Sequence, residues 1–173
     1  MTSVTYFAYG SNLLFARLHA RCDSVESIGV ARLDSHRLHF NKPGGDASGK
    51  CGIEPVAEDH YVLGVLYRMH VNEKSVLDRI EGVGHGYIDR PIRVNGENGI
   101  VDCFTYYPTQ HGNGLPPWDW YKAFVLGGAK ENGFPEDYIA MIDAVEHRVD
   151  PDPDRRRMNL EVLTAAGIQH RGA

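Results

Sequence analysis

The chain has 173 residues, 42% of them hydrophobic and 24% charged, and 18 Lys and Arg against 23 Asp and Glu give a formal charge of −5. This is one domain of globular composition, which excludes a disordered or fibrous chain, and an acidic balance without a basic stripe argues against a nucleic-acid partner, which would require many phosphate contacts. No apolar run approaches the roughly 20 residues of a membrane helix, and MTSVTYFAYG carries neither a charged leader nor a signal-type apolar core, so a cytoplasmic protein with no membrane partner is expected.

Val4 to Tyr9, rich in β-branched and aromatic residues, reads as a buried strand. It runs into Gly10-Ser11-Asn12 and then NLLFARLHARC, where the spacing of Leu14, Arg17, Leu18 and Arg21 suits a short amphipathic helix. Ile28 to Leu33 and Leu38 to Phe40 read as strands joined near Asp34-Ser35. Lys42 to Lys50, KPGGDASGK, reads as a flexible, exposed Gly-rich loop. Strands resume at Cys51 to Val56 and Tyr61 to Met69.

A helix is expected from an Asn72 N-cap, with Val76, Leu77, Ile80 and Val83 as its apolar stripe and Gly82 as its C-terminal glycine. Tyr87 to Val94 and Ile100 to Tyr107 flank the hairpin signal NGENG, and PTQHGNGLPP reads as a loop. Two helices follow, Trp118 to about Lys130 and Pro135 to about His147, with Pro135 in the first turn of the second. Residues 1–148 make one domain and 149–173, beginning near DPDPDRRR, a polar C-terminal extension. Six or seven strands with a few short helices predict an α+β fold with a mostly antiparallel, curved sheet or barrel.

The three cysteines, Cys22, Cys51 and Cys103, share no metal-type spacing, and the nine histidines are scattered. His36 and His39 lie three apart on a strand and face opposite ways, so no metal site is expected.

Two places carry candidate chemistry. At Tyr9-Gly10-Ser11-Asn12, glycine permits close backbone approach and the free N–H groups of a helix start attract an anion, although local chemistry alone favours an ordinary strand-turn-helix junction. Ser11 lies outside any GxSxG elbow. Glu81, in LDRIEGVGHGY, sits on the flank of an apolar stripe at the negative end of its helix. The dipole and burial there both disfavour the charged carboxylate, as suits a base that later acts as an acid. A solvated surface glutamate is the plain alternative. Six tyrosines, Tyr6, Tyr9, Tyr87, Tyr106, Tyr107 and Tyr121, suit either a pocket wall with hydroxyls or a barrel core.

In order along the chain, YFAYGSNLLFARLHARC, GIEPV, YVLGVLYRM, LDRIEG followed by GY, and LGGAKENGFPEDY resemble the gamma-glutamylcyclotransferase family from about Val4 to His147. The resemblance implies a small mixed α+β barrel and conversion of a γ-glutamyl amino acid or amide into 5-oxoproline and a free amine. It implies Glu81 as the catalytic residue, Tyr6, Phe7, Ala8, Tyr9, Gly10, Ser11 and Asn12 as the substrate-binding loop, and Tyr121 on the pocket wall. Tyr87 follows Gly86 directly, one residue earlier than a tyrosine of some members. The substrate's own α-amine is the nucleophile, so neither metal nor cofactor is required, and a homodimer is a family-level expectation. A Ser11-dependent γ-glutamyl hydrolase or acyltransferase and a non-catalytic anion-binding module remain as alternatives.

Overall fold

In the computed structural model, which describes residues 2–57, 59–112 and 114–169, the first strand, β1 (Ser3–Ala8), has a partner on each side, and its last three residues are buried. It pairs antiparallel with β5 (Tyr61–His70) and parallel, at Tyr6↔Phe104, with β7 (Gly99–Pro108). β2 (Glu26–Asp34) lies antiparallel to β5 and to β6 (Tyr87–Gly96), and β6 returns as β7 through Glu97 and Asn98. The barrel therefore closes in the order β1-β5-β2-β6-β7, the mostly antiparallel α+β barrel expected from the sequence. β3 (His36–Pro43) and β4 (Gly49–Pro55) form a separate hairpin.

The helices are α1 (Phe15–His19), α2 (Val71–Glu81), α3 (Asp119–Glu131), α4 (Glu136–Asp143) and α5 (Pro153–Ala165). Among the described residues no helix is long and apolar enough to cross a membrane.

Four local expectations differ from the structure. The helix expected across Asn12 to Cys22 is a 3-10 turn, Ser11–Leu13, and then α1, separated by an extended Leu14 (φ −74°, ψ 116°). Both leucines are fully buried, and α3 crosses them so closely that a Cβ at Gly128 would lie 2.4 Å from the Leu14 nitrogen. That contact fixes the break. α2 begins at Val71 and is capped by His70 rather than Asn72, because the Val71 N–H reaches the Thr2 carbonyl (3.1 Å) where the strand ladder runs out. Its C-terminus is as expected, with Gly82 left-handed at φ +70°.

The Lys42 to Lys50 stretch is a hydrogen-bonded turn of which only Gly45 and Ala47 are exposed, rather than a flexible loop. Asp46 accepts from the Ser48 hydroxyl (2.8 Å) and Lys50 ammonium (2.7 Å), Gly44 N–H bonds the Ser48 carbonyl (2.8 Å), and Lys42 is 7% exposed. α4 has Pro135 as its N-cap rather than inside its first turn. It ends at Asp143, because Arg148 lies alongside Trp118, bonded to the Pro117 carbonyl and to Asp119 N–H.

Beyond α4 the sequence reading found only polar residues, but DPDPD begins a helix. Asp152 accepts from the N–H groups of Asp154 and Arg155, with Pro153 at the first helical position. α5 is clamped to α3 by Arg156–Asp119 (2.7 Å) and by Asp150, whose side chain is fully buried and accepts from Trp120 Nε1 (2.7 Å) and Arg155. Burial pushes the Asp150 carboxyl up, but its bonds from Arg155, Trp120 and the Asp152 N–H overcome this and hold it at about 2.

Removing one partner of a buried ion pair strands the other, so Asp150→Asn should destabilise the fold by about 3 kcal/mol. The depressed value makes Asp150's contribution full above the unfolded carboxylate value of about 4 and lost as pH falls through about 2. Thermal melts should show the gap between wild type and variant narrowing over that acid range. A constant gap there would contradict the clamp.

Candidate active site

Two segments far apart in sequence meet at one end of the barrel. β1 delivers the Gly10-Ser11-Asn12 turn, and α2 delivers Glu81 at its last position. Asn12 Nδ2 donates to Glu81 Oε1 (3.0 Å) and to the Tyr6 hydroxyl (3.3 Å). Arg21 Nη1 donates to the same Oε1 (2.8 Å) and to Asn12 Oδ1 (2.9 Å). Glu81, which the sequence placed on the flank of an apolar stripe, is thus ion-paired to Arg21 and hydrogen-bonded to Asn12. It is 19% exposed, and Oε1 is fixed by two donors. Among the described residues no donor reaches Oε2, which is left to meet a ligand.

Ser11, Glu81, Tyr87 and Tyr121 line a cavity of about 430 Å³, and the same four residues also border a deeper recess walled by Tyr6, Tyr9, Gly10 and Asn12. The 3-10 turn closes with Leu13 N–H on the Gly10 carbonyl (2.9 Å). The N–H groups of Gly10, Ser11 and Asn12 lie ahead of that bond, where a helical turn offers no internal acceptor. Gly10 is needed for closeness: a Cβ there would lie 3.1 Å from Cys51 Cβ and 3.4 Å from the Tyr121 hydroxyl.

The tyrosines form a fixed wall. Tyr9 donates to the Tyr106 carbonyl (2.5 Å), Tyr87 donates to the Cys51 carbonyl (2.6 Å), and Tyr121 accepts from the Cys51 N–H (3.0 Å). Burial, with nearby Glu81 adding to it, pushes Tyr6, Tyr9, Tyr87 and Tyr121 above the ordinary phenol value, so all four are neutral hydroxyls. Tyr87 therefore belongs to the wall despite its position directly after Gly86. Tyr107 lies elsewhere, with Arg90 over its ring.

Of the expected binding residues, Tyr6, Tyr9, Gly10, Ser11, Asn12 and Tyr121 converge here, and Phe7 and Ala8 do not reach the cavity. The Phe7 ring lies over Gly64, where a Cβ would come within 2.5 Å of its Cζ, and its carbonyl accepts from Thr105 (2.8 Å). Strand alternation turns Phe7 away from Tyr6 but does not account for Ala8, which shares the face of Tyr6. Sequence reasoning missed Arg21, Lys42 and Cys51. Arg21 was legible only as one turn of a helix, and the other two sit on a hairpin whose position no local signal gives.

A possible metal-ligand set lies outside this site. His39, Glu54 and His111 bring ligand atoms within 4.8 Å of one another. The imidazole nitrogens lie 3.2 Å apart and Glu54 is held by Arg37.

A family profile described as the AIG2-like family matches residues 61–142. A protein of Bos taurus described as gamma-glutamylcyclotransferase is 37% identical over 150 residues, 83% of this chain and 79% of that protein. One of Mus musculus with the same description is 38% identical over 147 residues, 82% of this chain and 78% of that protein. A solved structure of a gamma-glutamyl cyclotransferase superposes with a TM-score of 0.80 at 30% identity, covering 92% of this chain and 99% of that one.

All three cysteines are free and buried, and burial pushes Cys22 up to about 11 and Cys51 and Cys103 up to about 12. Little thiolate exists near pH 8, so iodoacetamide should leave the native protein unlabelled and modify all three thiols once it unfolds. Mass spectrometry that found rapid native labelling of Cys51 would contradict the closed wall.

Proposed function

This chain belongs to the gamma-glutamylcyclotransferase family and catalyses γ-glutamyl cyclisation, and on that premise we propose that Glu81 carries the proton through the reaction while the Tyr9–Asn12 loop holds the substrate. The supporting observation is that Glu81, with Oε2 unengaged, shares one cavity with that loop and is hydrogen-bonded to its Asn12.

The α-amine of the γ-glutamyl group attacks its own γ-carbonyl carbon, forming the C–N bond of a five-membered ring. Glu81 Oε2 takes the proton this amine must lose. The carbonyl electron pair moves onto oxygen, for which the N–H groups of Gly10, Ser11 and Asn12 on the recess wall are unspent donors. As the pair returns, the bond to the departing nitrogen breaks and Glu81 gives that nitrogen the proton. The products are 5-oxoproline and a free amine, with no water consumed. Tyr6, Tyr9, Tyr87 and Tyr121 supply a rigid neutral wall against which the flexible glutamyl chain is curled, which is the entropic part of the work. Arg21 and Asn12 hold Oε1, so that Oε2 does the transfer from a fixed position.

The alternatives have less support. The Ser11 hydroxyl has no hydrogen-bonded base among the described residues, as an activated nucleophile requires. A pure anion-binding module leaves the placement of Glu81 in the cavity without a purpose. We place the enzyme in the cytoplasm, a reducing compartment that suits three free cysteines.

Glu81→Gln keeps the acceptor for Asn12 and Arg21 but cannot take a proton. It should lower kcat about 10²- to 10⁴-fold, with the fold retained, in an assay for 5-oxoproline released from a γ-glutamyl amino acid. Near-wild-type turnover would sink the assignment. Ser11→Ala should keep turnover within about tenfold, since losing one neutral hydrogen bond is worth only about 1 kcal/mol. Its abolition, with free glutamate as the wild-type product, would support the hydrolase instead.

A further inference from the structure

His39 on β3, Glu54 on β4 and His111, which follows β7, come from three separate segments, yet one ligand atom from each lies within 4.8 Å of the others. The hairpin register sets Arg37 opposite Glu54 and His39 opposite Gly52, so His39 and Glu54 are diagonal neighbours on one face. Gly52 leaves the space that the imidazole occupies, since a Cβ there would lie 2.9 Å from Nε2 of His39. His111 is brought to the same strand by its neighbour Gly112, whose N–H bonds the Asn41 carbonyl (2.9 Å) and where a Cβ would lie 2.6 Å from that oxygen. Two close approaches that need glycine therefore assemble the group.

Its donor atoms face one another. His39 Nδ1 is buried without a partner, and Nε2 is the nitrogen turned outward, 3.2 Å from Nδ1 of His111. Glu54 spends Oε1 on Arg37, accepting from Nε (3.1 Å) and Nη2 (2.5 Å), and Oε2 has no partner among the described residues. A tetrahedral zinc ion, with bonds of about 2.0–2.1 Å to imidazole nitrogen, sets two such nitrogens about 3.3–3.4 Å apart. Square-planar coordination with the same bonds would set them about 2.9 Å apart. The observed spacing is the closer to tetrahedral. A hydrogen bond between the rings uses one lone pair, whereas an ion would take one from each ring and one from Oε2. Two imidazoles and a carboxylate suit zinc rather than the all-oxygen cations calcium and magnesium.

We propose that His39 Nε2, His111 Nδ1 and Glu54 Oε2 form a Zn²⁺ site, with water completing the tetrahedron. None of the three lines the cavity that holds Glu81, so the ion acts as a brace. It pins the segment after β7 to the hairpin that carries Lys42 and Asp46 into the cavity wall.

The test is calorimetric titration of ZnCl₂ into protein stripped with EDTA and dialysed. One ion should bind per chain, and zinc at about a hundredfold excess over Kd should raise the thermal midpoint by at least about 5 °C. Groups that merely support a ligand are worth about 10- to 100-fold in metal affinity, so His111→Ala and Glu54→Gln should each weaken binding at least about tenfold. His111 is exposed and Glu54 partly so, and in EDTA both variants should melt within about 2 °C of wild type. No heat of binding to wild type would overturn the site. So would either variant binding zinc as tightly as wild type does, whether or not the cyclotransferase reading stands.

Discussion

The triangle of Asn12, Arg21 and Glu81 ties the first turn of the chain to the end of a helix 69 residues later. Its geometry depends on barrel closure. β1 must pair with both β5 and β7 to bring the Gly10-Ser11-Asn12 turn to the barrel end. α2 must start at once from β5 to deliver Glu81 beside it. Because one carboxylate oxygen absorbs both donors, the other is left in the cavity at a position fixed by the fold. A side chain with three rotatable bonds is thereby held still, as the proposed transfer of a proton between two nitrogens requires.

The second constraint is electrostatic. The chain carries −5 overall, yet the cavity has four cationic side chains against the carboxylates of Glu81 and Asp46. Net charge is a poor guide to a site of this size, because a local field over a few ångströms is set by side chains rather than by the distant surface. The tyrosine wall adds no charge, since burial keeps its hydroxyls protonated. It contributes shape. Positive charge is thus concentrated on the hairpin and α1 sides of the cavity.

Residue pattern carried the strands well, since Val4 to Tyr9, Tyr61 to Met69 and the NGENG hairpin have strong β chemistry and turn residues. Ordered motifs carried the family and the fold. The pattern failed where tertiary contact overrides local preference. α3 pressing on Leu13 and Leu14 breaks a helix that the spacing supports. Asp46 gathers Ser48 and Lys50 into an ordered wall from residues that read as flexible. α5 was missed because its opening DPDPDRRR is polar, although Leu163 is buried in the core and Asp150 and Asp119 anchor the start of the helix. In the site, Glu81 and the Gly10–Asn12 turn were visible because glycine and a carboxylate in those settings are chemically unusual. Arg21 and Lys42 were not, because a surface arginine and a loop lysine look the same in sequence whether or not the fold turns them inward.

The central claim is that the γ-carbonyl is attacked by the substrate's own amine, with Glu81 moving the proton and no water taking part. Turnover of a γ-glutamyl amino acid in ¹⁸O-labelled water tests this most directly. The account predicts 5-oxoproline that carries no label, with the free amine released in equal amount. Glutamate with ¹⁸O in its γ-carboxylate would contradict it.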